Sequence, residues 1–513
     1  MFTRLKNISQ FGVITLVASV MLINQATATD AFKGDALYQQ QHFEQARTAY
    51  LNAAEVGSPH VYYQLGTMHY KGQGIKPDPL SALIWFSLAA EYQFNDSENI
   101  VTQIMQHVDD KKKPDVDTLI KDFKQRYGKH HIENKYLPKI ITTNLNKKVT
   151  FGGQGILEGT QNDATDKLFG VISSSILSDN AFDAFDEFDE FDEFDDEMNS
   201  TANSKLPQRS SSPLNFLAIL DYDIAQDGSR RNILKVHHRG GWSQIRDTIF
   251  FLSKAPLPQP TFDGKRIHFI HRSYLGISKA TIDLGMIRSE QRPLYYWIKR
   301  QMKKLTKSSR SQDNYTQAML MLIFPWYPQE DGEAVSLLKS LAEQGHIYSQ
   351  YEYGLYLYRE QIDPAEAIKW LSMASQYGLA NAQYRLATIL QNSPWVVPDE
   401  KKSLFWYETA AKKGHAAALL KSAELKLLAN DESLHNQAEA IDILKNIESS
   451  QNKNPKYSYL VAVSHLRGEF RDFQKVVKYL RKAIFRGQTL NWDVSKWEEQ
   501  LRKWTTGLVT IND

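Results

Sequence analysis

The chain of 513 residues contains no cysteine. That absence excludes disulfides, a thiol nucleophile and thiolate ligation of a metal. Long apolar runs are also missing. The best one, Phe11 to Ile23, has thirteen residues, where about 20 are needed to cross a bilayer. Charge of one sign is lacking as well. With 61 basic residues against 59 acidic ones and a formal net charge of +2, the whole chain exerts no strong pull on nucleic acid or acidic membranes. An electrostatic partner has to be held by a local patch. Complete catalytic signatures are absent too. Ser336 and Lys339 have the Ser-x-x-Lys spacing, but no Ser-Asp-Asn or Lys-Thr-Gly accompanies them. The pairs His130 and His131, His237 and His238, and His268 and His271 come without a His-Glu-x-x-His or carboxylate spacing, so they read as surface or satisfied core histidines. No metal, cofactor or enzymatic activity is expected.

The N-terminus carries an address. Arg4 and Lys6 precede the apolar run, and Ala26-Thr27-Ala28 places small residues where a signal peptidase reads. Residues 1–28 are expected to be an export signal cut after Ala28, leaving a periplasmic chain with no integral membrane segment. The alternative is an uncleaved signal that keeps it on the inner membrane.

What is present is repetition. Ala53-Ala54 is followed by Gly57, Leu65-Gly66, Tyr70, Gly72, Gly74, Asp78, Ala82 and Trp85, and the Ala pair returns at Ala89-Ala90, 36 residues on. Far downstream Trp370, Ala374 and Gly378 are followed by Trp406, Ala410-Ala411 and Gly414, again 36 apart. A period between about 20 and 50 residues marks a solenoid whose units bury their apolar faces only against neighbours. Small residues at fixed places let two helix backbones approach, the Trp fills the hairpin interior, and the Gly supplies a helix stop. These residues resemble the Sel-one-like repeat of the tetratricopeptide superfamily, which implies helical hairpins and binding of proteins.

Residues 30–128 are expected to form N-terminal repeats, and residues 138–178, mixed in Ile, Val, Phe, Thr and Gly, a strand-rich segment. Residues 179–212 form an acidic low-complexity insert. Between Asp183 and Glu197 it has ten acidic residues, with Phe at every third position from Phe182 to Phe194. That period fits neither helix nor strand, so a disordered insert is expected. Residues 287–330 form a basic helical connector. From Ile287 to Arg310 it carries eight basic residues against the single acid Glu290. Arg288, Arg292, Lys299, Arg300, Lys303 and Lys304 are the candidate partner-binding residues. Residues 331–513 read as about five further units, with Leu337, Trp370, Trp406, Ile443 and Tyr479 in the Trp place and stops at Gly345, Gly378, Gly414 and Gly487.

Residues 213–286 read differently. Phe216, Ala218, Leu220, Tyr222 and Ile224 alternate as one strand face, Asp227-Gly228 is a hairpin turn, and Ile233 to His237 return. Trp242, Ile245, Ile249 and Leu252 have helical spacing, and a Pro-rich exit leads to a strand from Lys265 to Ile270. This strand, strand, helix, strand order, with Asp221-Tyr-Asp-Ile224-Ala-Gln-Asp227-Gly228, resembles the C-terminal domain of TonB and TolA proteins. The resemblance implies a sheet edge open to strand addition, and as an alternative a part in energy transduction.

The expected fold is mainly α, with two α-solenoid blocks flanking a small α+β (ββαβ-like) central domain. The expected function is that of an adaptor in the Gram-negative envelope, with protein or peptide partners, possible peptidoglycan or polyanion contact, and no nucleic acid. An envelope enzyme acting on peptidoglycan fragments is the alternative of a different class.

Overall fold

A computed structural model describes residues 30–152, 216–239, 242–279, 282–466 and 470–505. The expected export signal, the acidic insert and most of the segment 138–178 lie outside them.

Local sequence sets the helix ends. Pro59 opens the helix Pro59–Lys71 where its missing N–H costs no helical bond. Gly72 stops that helix in the left-handed region at φ 71°. Asp78 then accepts the backbone N–H groups of Leu80 and Ser81, both at 3.1 Å, and starts the helix Pro79–Ala90. The same cap recurs one period apart. Asp363, Asp399, Asn436 and Asp472 each accept an N–H three residues on, at 2.9–3.1 Å, at the heads of Pro364–Tyr377, Glu400–Ala411, Gln437–Asn446 and Phe473–Thr489. Gly345, Gly378 and Gly414 take positive φ after their helices. Gly487 does not. It lies inside Phe473–Thr489, where an added Cβ would meet Val494 at 2.4 Å, so close packing, not a stop, requires a glycine there.

Within the hairpins the signature Trp, Ala and Leu residues are internal or half-buried. Trp85, Trp370 and Trp406 are 2%, 5% and 0% exposed. The Trp406 indole N–H donates to the Tyr136 carbonyl at 2.7 Å, and that of Trp370 to Glu366 at 3.1 Å. Ala53, Ala54, Ala82, Ala89, Ala374 and Ala410 are buried, as are Gly57, Leu65 and Gly66, while Ala90 and Ala411 are half-buried. A Cβ on Gly66 would sit 2.9 Å from the Phe86 ring, and one on Gly354 3.1 Å from Trp370 and Leu371. At both sites glycine lets paired helices close to contact. Where Leu337, Ile443 and Tyr479 stand in the Trp place, the side chain is only half-buried. The next residue, Leu338, Leu444 or Leu480, fills the core.

The described residues fall into two compact units, each assembled from separate stretches of chain. The first joins residues up to 145 with 345–419. In it the N-terminal hairpins, from Ala31–Gln39 and Phe43–Ala54 to Lys129–Tyr136, pack on repeats far away in sequence. The Gln376 amide donates to the Val56 and Gly57 carbonyls at 2.8 and 3.2 Å. The Lys402 ammonium donates to the Leu137 carbonyl at 2.7 Å. Ile140, expected in a strand, makes an isolated antiparallel bridge with Val396. Asp115 lies in the first turn of Lys113–Tyr127, and Asp109 caps the preceding 3-10 turn by accepting the Lys111 N–H at 3.0 Å.

The second unit comprises 146–344 and 420–513. It contains two antiparallel sheets. One orders β1 (Thr150–Gly152), β4 (Gln259–Phe262) and β5 (Lys265–Arg266) as β1-β4-β5. The other sets β2 (Leu217–Ile224) between β3 (Arg230–Arg239) and β6 (Phe269–Gly276). The β2-β3 turn is the expected one, with Gly228 at φ 81° and Asp227 Oδ1 accepting the Ser229 N–H at 3.0 Å. The last strand starts at Phe269, not Lys265. Asp263 and Gly264, both at positive φ, fold Lys265–Arg266 back onto β4 first. One face of β2 (Ala218, Leu220, Tyr222, Ile224), with Phe216 just before it, packs on Ile245, Ile249 and Leu252 of the helix Trp242–Lys254. Its other face, through Leu217 and Ile219, shares a core with Ile287, Leu294, Ile298, Met302 and Met319. That second face also holds a buried ion pair, Arg272 Nε and Nη2 on the two Asp221 oxygens at 2.6 and 2.8 Å.

Candidate partner-binding surfaces

The helix Arg292–Leu305 follows from its own sequence. Pro293 sits in its first turn, and Leu294, Tyr295, Ile298, Met302 and Leu305 recur at helical spacing and are buried. At about 100° per residue the opposite side carries Arg292, Tyr296, Lys299, Arg300, Lys303 and Lys304, all exposed, and Lys307 follows just beyond the helix. Among the described residues these six cations make no ion pair and no hydrogen bond through their charged groups. Three like-charged pairs (Lys299 and Lys303, Arg300 and Lys303, Arg300 and Lys304) stand at i,i+3 or i,i+4 spacing, which together oppose the helix by about 1 kcal/mol. Arg288 stands apart from the rest. Its guanidinium lies 4.9 Å from the Tyr295 ring centre and donates to the Tyr295 hydroxyl at 2.9 Å. The structure therefore places five of the six sequence-selected cations, with Lys307, on one continuous face, where the Asp313 carboxylate acts on Lys304 without forming an ion pair.

A second surface was not singled out by sequence. In the first unit a groove of about 420 Å³ is lined by Tyr38, Tyr63, Tyr70, Phe86, Gln103 and His107, among others. Its hydroxyls are partly committed. Tyr38 donates to Gln73 at 2.9 Å and Tyr63 to Asp96 at 2.7 Å. Burial, then the Asp96 carboxylate, pushes the Tyr63 phenol up to about 12. Tyr70 counted among the repeat's packing residues, yet it is 47% exposed and lines this groove. The signal was readable: Tyr63, Thr67 and Tyr70 at i, i+4 and i+7 form a polar aromatic stripe opposite the Leu65 and Met68 face.

Two further clusters are internal joints. Asp35 accepts hydrogen bonds from Tyr50 at 2.6 Å and from Tyr377, and meets His60 Nε2 at 2.8 Å. Burial would raise its carboxyl, but His60, Tyr377 and Tyr50 hold it below the usual range. In the second unit Glu424 lies between Lys421 at 3.0 Å and Lys456 at 2.7 Å. Burial opposes its charge and the two ammonium groups override that penalty. Both clusters are satisfied by their own members. No group of three or more metal-ligating side chains occurs among the described residues. No helix among them is long and apolar enough to cross a membrane.

The Sel1 repeat family model matches residues 59–91, 347–378, 380–415 and 455–484. With the helical hairpins described above, these matches define the class: a mainly helical chain carrying Sel1 repeats, with a small central sheet region. Similar solved structures include a Sel1 repeat protein from Oxalobacter formigenes, 18% identical, covering 42% of this chain and 98% of that one at a TM-score of 0.30. Another is c5321, described as a protective antigen present in uropathogenic Escherichia coli strains displaying an SLR fold. It is 15% identical over 92% of this chain and 71% of its own, at a TM-score of 0.31. Yeast Tom70 is 12% identical over 92% and 94%, at a TM-score of 0.24. No curated protein matches the chain.

Proposed function

We propose that this chain is a non-enzymatic, exported adaptor of the bacterial envelope that binds protein or peptide partners stoichiometrically through its repeats. One observation supports this most directly: the recurrent Trp, Ala and Gly residues are consumed by packing inside the hairpins. What remains outside, including the aromatic groove, is free to vary for recognition. The groove's rings, amides and hydroxyls suit an extended peptide with apolar side chains and backbone polar groups. The basic helix face is a second site on this reading, for an anionic partner. The resemblance of the central module to TonB and TolA C-terminal domains rests on its sequence and on β2, β3, the helix Trp242–Lys254 and β6, with β4 and β5 of the other sheet interposed before β6. Because β3 and β6 already pair with the two edges of β2, a partner strand would have to add at the outer edge of β3 or of β6. Export and a periplasmic address rest on the N-terminal sequence.

The test is site-specific photocrosslinking in the envelope of the source organism. A photoreactive residue at Thr67, Tyr70 or Gln103 is expected to trap one protein partner, and one at buried Leu88 to trap none. Equal trapping at all four positions refutes the groove. Turnover of peptidoglycan fragments by the purified chain refutes the non-enzymatic reading in favour of an envelope enzyme.

A further inference from the structure

We propose that the acidic tract Asp183 to Glu197 of this same chain binds the cationic face of the helix Arg292–Leu305 and competes there with an external polyanion. The inference rests on reading that face as an anion-partner site, and it names the competitor. Three observations carry it. The first is charge. Ten carboxylates in fifteen residues stand in the tract, and the face presents Arg292, Lys299, Arg300, Lys303, Lys304 and Lys307 with no ion pair among the described residues, only Lys304 lying within the field of a carboxylate, that of Asp313.

The second is tether length. Eighteen residues separate Glu197 from Phe216, a span of at most about 65 Å. The strand that starts there, β2, buries Leu217 and Ile219 in the same core as Leu294, Ile298 and Met302 of the helix. The helix itself is about 21 Å long. Reach is therefore not limiting, and a short tether of this kind gives an effective concentration on the order of 1 mM.

The third is the aromatic content of both surfaces. Phe182, Phe185, Phe188, Phe191 and Phe194 punctuate the tract, and Tyr296, 53% exposed, stands amid the cations. Rings can stack on it and on the Arg300 guanidinium. Carboxylates spaced by Phe keep charge and ring contact in one short segment.

An anionic partner must then displace the tract. With a tract affinity for the face of about 0.1 mM, an effective concentration near 1 mM weakens external binding roughly tenfold. The experiment uses the full chain and fluorescent poly-L-glutamate, read by anisotropy at low and physiological salt. Three variants are compared with the native chain: one with the tract's ten acids changed to their amides, one with Lys299→Gln, Arg300→Gln, Lys303→Gln and Lys304→Gln, and one with both sets. Thermal melts on each confirm folding, since every changed helix side chain is exposed. The amidated tract is expected to tighten binding about tenfold at low salt, and the helix substitutions to abolish the gain. Native affinity in the amidated chain, with binding still lost in the helix variant, overturns the proposal and leaves the anion site standing. Binding unaffected by the helix substitutions overturns the site itself, and the proposal with it.

Discussion

Replacing Trp406 by alanine tests whether the repeat tryptophans serve packing. The indole is fully buried, lies 5.2 Å from the Phe405 ring, and donates to the Tyr136 carbonyl at 2.7 Å. Emptying such a site costs about 3–5 kcal/mol, and the orphaned Tyr136 carbonyl adds about 1–3 kcal/mol unless water reaches it. The loss has an address. Tyr136 ends the helix Lys129–Tyr136, some 270 residues away in sequence, so that helix should loosen together with Glu400–Ala411. Hydrogen exchange reads this directly. Each 1.4 kcal/mol is a factor of ten, so the packing loss alone should cost the amides of residues 132–137 about a hundredfold to a few thousandfold of their protection, and more where the carbonyl stays dry. Trp406→Phe, which keeps a ring and loses only the donor, should lose about tenfold. Unchanged protection in the helix Lys129–Tyr136 with Trp406→Ala would refute the packing argument and reopen the indole as a ligand contact.

Other expectations follow the same logic. Gly66→Ala forces a Cβ to within 2.9 Å of the Phe86 ring and should cost about 1–3 kcal/mol in urea unfolding; Gly66→Ala combined with Phe86→Leu should recover part of it. Arg272→Ala removes the guanidinium from the buried Asp221 carboxylate and should cost about 3–5 kcal/mol by the same assay, whereas a loss under 1 kcal/mol would mean that other groups or water take its place. His69 is 3% exposed, and burial, then the nearby Arg47, lowers its imidazole to about 4 despite Asp78. The unfolded chain takes up the proton at about 6.5, so stability should be full above that pH and fall as pH drops from about 6.5 to 4, by roughly 3 kcal/mol. His69→Gln should flatten that segment of the pH profile, and an unaltered slope would assign it to other groups.

Much of this architecture was legible because its determinants are short-range. The caps at Asp78, Asp363 and Asp399, the stops at Gly72, Gly378 and Gly414, and the Ala and Trp positions of each hairpin all act within about one repeat. The Asp-Gly turn and the alternation on β2 are local too. Errors arose where a local signal had two readings. Gly487 satisfies a tight helix contact and not a stop, and Tyr70 keeps the repeat's spacing while facing the groove. The basic stretch was visible as charge, but which of its cations stay without an ion pair was not, because the carboxylate that neutralises a cation can come from any element, as Asp313 does for Arg310.

The sequence by itself determined the hairpins, their period and their internal packing, since each depends on residues less than about 40 positions apart. Only the tertiary structure decided which hairpins meet. Gln376 on Val56, Trp406 on Tyr136 and Ile140 beside Val396 join chain segments more than 250 residues apart. Repeats of one family offer one another nearly the same apolar faces, so no residue type marks the intended neighbour. The choice is made by the summed fit of whole surfaces.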